Sequence, residues 1–113
     1  MRYAPVVCVD ENAELTEEDV ERQYTEFMGF QDEMEARGVL ISRERLRPTS
    51  LSTTVRVRDG GLVIADGPFA ETKEQIAGFY VVECEDLDEA IELASLNPAA
   101  RFGTVEVRPV WER

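Results

Sequence analysis

The chain has 113 residues, 43% of them apolar, and its 24 acidic and 12 basic side chains give a formal net charge of −12. That length supports one hydrophobic core, so residues 1–113 are expected to form one domain. A surface this acidic repels phosphate backbones and anionic headgroups, which argues against nucleic acid and membrane partners and leaves solubility as the plain reason for the charge.

The bases are unevenly placed. Between Asp10 and Glu35 the only base is Arg22, whereas Arg43, Arg45, Arg47, Arg56 and Arg58 crowd the middle of the chain. Such a cluster either binds an anionic small molecule or pairs with the acidic helix, and pairing is the expectation. The start, Met-Arg-Tyr-Ala-Pro, lacks a signal-peptide pattern, and no apolar run approaches the ~20 residues of a membrane helix. Cys8 and Cys84 have no metal-ligand spacing and the chain has no histidine. Reduced thiols in a cytoplasm, with no metal and no cofactor, are therefore expected.

Tyr3 to Val9 is an apolar run of strand length. Asp10-Glu11-Asn12 breaks it, and Thr16 reads as a helix N-cap in a variant capping box with Asp19. Glu17, Glu18 and Asp19 suit the positive end of that helix. Val20, Tyr24, Phe27, Met28 and Met34 recur at helical spacing and predict its buried face. Gly38 predicts a left-handed stop. An extended segment then runs from Val39 to Pro48.

Thr53 to Arg58 alternates with period two, Asp59-Gly60-Gly61 signals a hairpin, and Leu62 to Ala65 returns. Asp66 to Gln75 reads as a loop and Gly78 to Cys84 as a mostly buried strand. Asp86 caps a second helix, with Leu87, Ala90, Ile91 and Ala94 predicted inside, and Asn97-Pro98 stops it. Thr104 to Val110 is the last strand, with Val105 and Val107 on one side. The order is the split β-α-β of a ferredoxin-like α+β fold with an extra hairpin, its first and third core strands antiparallel neighbours.

Two helices cover one face of a four-stranded sheet. Yet Val6-Val7-Cys8-Val9 and Phe79-Tyr80-Val81-Val82 are apolar on both faces, because side chains alternate along a strand. The simplest cover for the other face is a second copy, so a homodimer is expected. Pro5 is expected near the strand start or at a bulge, since it cannot donate to the ladder. Cys8 and Cys84 end neighbouring antiparallel strands at opposite ends of the sheet, roughly 20 Å apart, too far for a disulfide.

The stretch Asp66-Gly67-Pro68-Phe69-Ala70-Glu71-Thr72-Lys73-Glu74-Gln75 resembles the YCII-related family, in the subgroup marked by the DGPF tetrapeptide. Thr53-Thr54-Val55-Arg56, Gly78-Phe79-Tyr80, Asp86 to Ala90 and Gly103 to Val110 agree with it, so the resemblance spans nearly the whole chain. It implies a dimeric α+β barrel of two ferredoxin-like protomers. Some relatives look like isomerases or cofactor-free oxygenases, and others are associated with sigma factors of the extracytoplasmic-function type, which implies regulation. A His-Asp pair proposed in the wider family, and the histidine of haem-binding relatives, have no counterpart here. Pro5 also departs from the family's apolar first strand.

Asp66 has two possible roles. It is either a general base or acceptor at the mouth of a cleft, or a carboxylate holding its own loop through backbone amides. Phe69 is either a ligand contact or a core residue. Glu71, Lys73 and Glu74 are either a charged site or a solvated face, and Thr72 with Gln75 also fits a capping box. Arg45, Arg56 and Arg108 lie on strand patterns and suit a carboxylate ligand, unless Arg108 or Arg56 pairs across strands with Glu106 or Glu83. Tyr3, Tyr80 and Trp111 read as packing residues, with the Tyr80 hydroxyl at a cavity edge. Three functions follow: a small-molecule binding module, a cofactor-independent isomerase or oxygenase using Asp66, or a purely structural dimer partner.

Overall fold

The computed structural model describes residues 1–112. In chain order they form β1 (Arg2–Val9), α1 (Glu17–Ala36), β2 (Leu40–Arg45), a short 3-10 turn (Thr49–Leu51), β3 (Thr53–Arg58), β4 (Gly61–Asp66), β5 (Gln75–Glu83), α2 (Leu87–Leu96), α3 (Ala99–Phe102) and β6 (Thr104–Pro109). The four-stranded sheet has the order β2-β5-β1-β6, antiparallel throughout, and β3 pairs only with β4 in a separate ribbon. This is the ferredoxin-like α+β arrangement, with the hairpin outside the sheet. The strands of one chain do not close into a barrel.

Local chemistry sets the element ends. Thr16 Oγ1 accepts from the Asp19 amide at 3.1 Å, and the Asp19 carboxylate accepts from the Thr16 amide at 3.1 Å. That backbone hydrogen bond, with Arg22 donating as well, holds the Asp19 carboxyl below its ordinary range. Gly38 leaves the helix at φ +70°. Asp59 and Gly60 both have positive φ, and Arg58 pairs with Gly61 across them, a two-residue hairpin turn that matches the strand twist.

Tyr3, Phe30, Met34, Val82, Cys84, Ala90 and Leu93 form the core between sheet and helices. Phe30 meets Tyr80 edge-on at 5.5 Å, and Phe27 meets Phe102 at 6.2 Å. The helix faces differ from the expectation. Val20, Tyr24 and Met28 are exposed, as are Leu87 and Ile91, while Phe30 and Leu93 are buried in their place. At 100° per residue, Val20, Tyr24 and Met28 form a stripe about 90° round α1 from Phe27, Phe30 and Met34. Each helix carries two apolar stripes, and only one can face the sheet.

Pro5 is also corrected. It lies mid-strand on the buried face, opposite Val107 of β6. The Cys84 amide donates to the Met1 carbonyl and the Val110 amide to the Arg2 carbonyl, so odd-numbered backbone groups of β1 face β5. The β1–β5 register passes from Tyr3↔Val82 to Val6↔Phe79, and the ladder loses its donor at Pro5 inside the sheet. The strand irregularity comes later, between Val7 and Cys8.

The five central arginines do not pair with α1. Among the described residues, Arg43, Arg45, Arg47, Arg56 and Arg58 form no ion pair, whereas Arg2, Arg22, Arg37, Arg101 and Arg108 each do. β2 is a sheet edge and the hairpin is a separate ribbon; Arg43 and Arg45 lie opposite Tyr80 and Gly78, on the helix-side face of that edge, and still form no ion pair among the described residues. At Gly78 the backbone of β2 approaches closely: a Cβ there would sit 2.6 Å from the Glu44 carbonyl oxygen. Asn97 is buried after α2, its Oδ1 accepting from the Ala99 amide at 2.9 Å and its Nδ2 without a protein partner.

Both cysteines are free. Cys8 aligns with Ile76 and Thr104 at one end of the sheet, and Cys84 meets Met1 at the other. Burial pushes both thiols above the ordinary range; Glu106 and Glu74 add to the shift at Cys8, and Glu89 to that at Cys84.

Two outcomes follow. Met34→Ala and Leu93→Ala each lose about 2–5 kcal/mol of unfolding free energy in urea titrations, while Tyr24→Ser changes it by less than about 0.5 kcal/mol. A thiol titration of the folded protein counts two thiols, Cys8 reacting before Cys84, and both rates still climb as pH passes the ordinary thiol range.

Candidate ligand-binding site

The loop after β4 is tied down by its glycine. Gly67, at φ +87°, donates its amide to the Ser52 carbonyl at 2.7 Å and accepts from Thr54 Oγ1 at 2.7 Å. A positive φ of that size strains any residue with a Cβ. Asp66 is exposed at the end of β4, and among the described residues no donor hydrogen-bonds its carboxylate. The loop is therefore held by Gly67 and Thr54 and not by Asp66.

Phe69 is 78% exposed, not a core side chain. The residue forms a wall shared by two concavities. The larger, about 600 Å³, lies between the connection from β2 to β3 and the loop before β5. Leu46, Leu51, Phe69 and Ile76 make it mainly apolar, and Arg47, Thr49, Glu74 and Gln75 bring polar atoms to it. The smaller, about 230 Å³, is lined by Thr54, Arg56, Val63, Ala65, Pro68 and Phe69.

Of the residues singled out from sequence, Arg56 and Phe69 come together at the smaller concavity, and Phe69 alone reaches both. Asp66, Arg45, Glu71, Lys73 and Tyr80 line neither. Arg45 lies opposite Gly78 on the edge strand. Glu71 and Lys73 are exposed in the loop. Tyr80 faces the helix layer against Phe30, and burial raises its phenol, with Arg43 opposing the shift. No helix follows Thr72: its hydroxyl donates to the Glu74 carbonyl, the Gln75 side-chain Nε2 donates to the Thr72 carbonyl, and β5 begins at Gln75. The Glu74 carboxylate accepts from Thr104 Oγ1 at 2.8 Å. Arg108 contacts Glu106 along its own strand.

Glu11 holds the larger concavity together and was not expected to. Its carboxylate accepts from the Thr49 amide at 2.8 Å and from Thr49 Oγ1 at 2.7 Å. Its own amide donates to Gln75 Oε1 at 2.9 Å. One residue of the turn after β1 thus fixes both walls. Pro48-Thr49 was the only local hint, since the first amides of a helical turn seek an acceptor. Among the described residues no three metal-ligating side chains cluster.

Removing a hydrogen bond to a charged group near the surface costs roughly 1 kcal/mol. Glu11→Ala is therefore expected to speed hydrogen exchange at the Thr49 amide about fivefold, with little change at core amides of β1 and β5.

Two comparisons bear on this architecture. The family model described as the YCII-related domain matches residues 1–113. The chain is 38% identical over 116 residues to "Uncharacterized protein R00369" of Rhizobium meliloti (strain 1021), an alignment covering 97% of this chain and 92% of that protein. With the family model matching from end to end of a ferredoxin-like chain, the protein belongs to the YCII-related family.

Proposed function

We propose that this chain is a binding module for a small, mainly apolar molecule bearing a carboxylate, held in the larger concavity beside the loop after Asp66. The observation that carries the reading is the pairing of apolar walls with Arg47, whose guanidinium has no ion-pair partner among the described residues. Ligand sites of this kind bury most of a compound against apolar side chains and orient it with a few polar ones. An arginine at such a wall suits a carboxylate because its planar fork donates two parallel hydrogen bonds.

The binding module works as a homodimer, two sheets packing open face to open face in a dimeric α+β barrel. Support comes from Val6, Phe79 and Val81, which are only half-buried on the side away from the helices. Two free cysteines suit a reducing, cytoplasmic setting. Regulation linked to a sigma factor, which the family resemblance suggests, fits a module that binds without turnover. Turnover at Asp66 is left out, because that carboxylate is open to solvent and lines neither concavity.

A thermal-shift screen of aromatic and aliphatic carboxylic acids tests the reading. A compound present at a hundred times its Kd stabilises the fold by about 2.7 kcal/mol, a readily measured rise in Tm. Arg47→Ala and Leu51→Asp are expected to weaken that compound at least tenfold, and Asp66→Asn to leave it unchanged. If no acid shifts Tm, or if both wall variants bind as the parent does, the concavity is not a carboxylate site.

A further inference from the structure

The β3–β4 ribbon pairs only with itself. On one of its faces Val55 aligns with Ile64 and Val57 with Leu62, and all four side chains are 60–65% exposed. A lone two-stranded ribbon is marginal in water, and a bare aliphatic face makes it worse. The whole chain is spread to match, measuring 48 × 44 × 18 Å with a radius of gyration of 16.2 Å. A self-contained chain of this length has a radius near 13 Å.

Charge supplies a second, independent observation. Positions 43 to 58 hold five arginines and one acid, Glu44, within a chain of net charge −12. Those five arginines are the ones left without ion pairs among the described residues. A second copy meets both needs. It is strongly acidic outside this segment, and it offers the half-covered apolar side chains of β1 and β5.

We propose that the β3–β4 hairpin is an arm that crosses to a second copy of this chain and lays Val55, Val57, Leu62 and Ile64 along the rim of that copy's open sheet face, beside the area where the two sheets face each other. Two arms exchange about a two-fold axis, and strand alternation leaves Arg56 and Arg58 on the outer face of each arm, turned from the sheet beneath it. The proposal goes beyond the ligand site and rests on the homodimer stated above.

Sedimentation velocity over a dilution series compares the parent with Val57→Asp/Leu62→Lys, a double variant of exposed positions whose fold is checked by circular dichroism. In parallel, Leu62→p-benzoylphenylalanine is irradiated and the cross-linked peptides are identified. The parent is expected to be dimeric at micromolar concentration, and the double variant to dissociate roughly thirtyfold more readily. Cross-links are expected to join two chains, ending on Arg2–Val9 or Gln75–Glu83. An unchanged dimer constant in a folded double variant, or cross-links confined to the parent chain, overturns the arm and leaves the homodimer standing. A monomeric parent overturns both, and neither result touches the carboxylate site.

Discussion

Alternation along β1 and β5 governs this molecule. An extended strand shows successive side chains to opposite faces, so a strand with apolar residues at every position cannot hide them all under one layer. Tyr3, Val7, Tyr80 and Val82 turn toward Phe30, Met34, Ala90 and Leu93 and make the core. The same geometry turns Val6, Phe79 and Val81 the other way, where they stay half-covered. Since both strands lie inside the sheet, neither can rotate to correct this without breaking two ladders at once. A chain whose central strands are apolar on both faces leaves one of those faces without cover from its own helices.

The candidate site is built beside that framework and uses little of it. Its walls come from the connection between β2 and β3 and from the loop ahead of β5, segments that need outside support to hold a shape. Glu11 supplies it by spanning Thr49 and Gln75 with three hydrogen bonds. Gly67 supplies more by joining the loop to Ser52 and Thr54. Each anchor reaches a residue far away in sequence, so the cleft exists only once the sheet has placed both connections at one end. The central arginines follow the same logic. They sit on an edge strand, on the connection after it and on a ribbon outside the sheet, and none of them forms an ion pair among the described residues.

Much of this was legible in the residues. Period two located the strands, Thr16 and Asp86 located the helix starts, and Asp59-Gly60 located the hairpin, because each feature rests on backbone chemistry within a few positions. The cysteine separation followed from strand direction alone. The helix faces were misread where α1 and α2 each offer two apolar stripes, since a periodicity cannot say which stripe meets the sheet. Of the two roles open to Phe69, exposure removes the core one, since an aromatic side chain in a loop goes where the loop leads. The candidate binding residues were drawn from the loop motif and from neighbouring strands, and the structure brings Arg56, Phe69 and Glu74 of them to a concavity.

The order of elements, their caps and turns, the two-sided apolar strands and the lopsided charge are properties of short stretches, and the sequence by itself determined them. Tertiary structure alone decided which helix stripe is covered, how the ladder accommodates Pro5, that Glu11 reaches Thr49, and that five arginines are left without carboxylates. Those outcomes depend on distances between segments many residues apart, which local propensity does not encode.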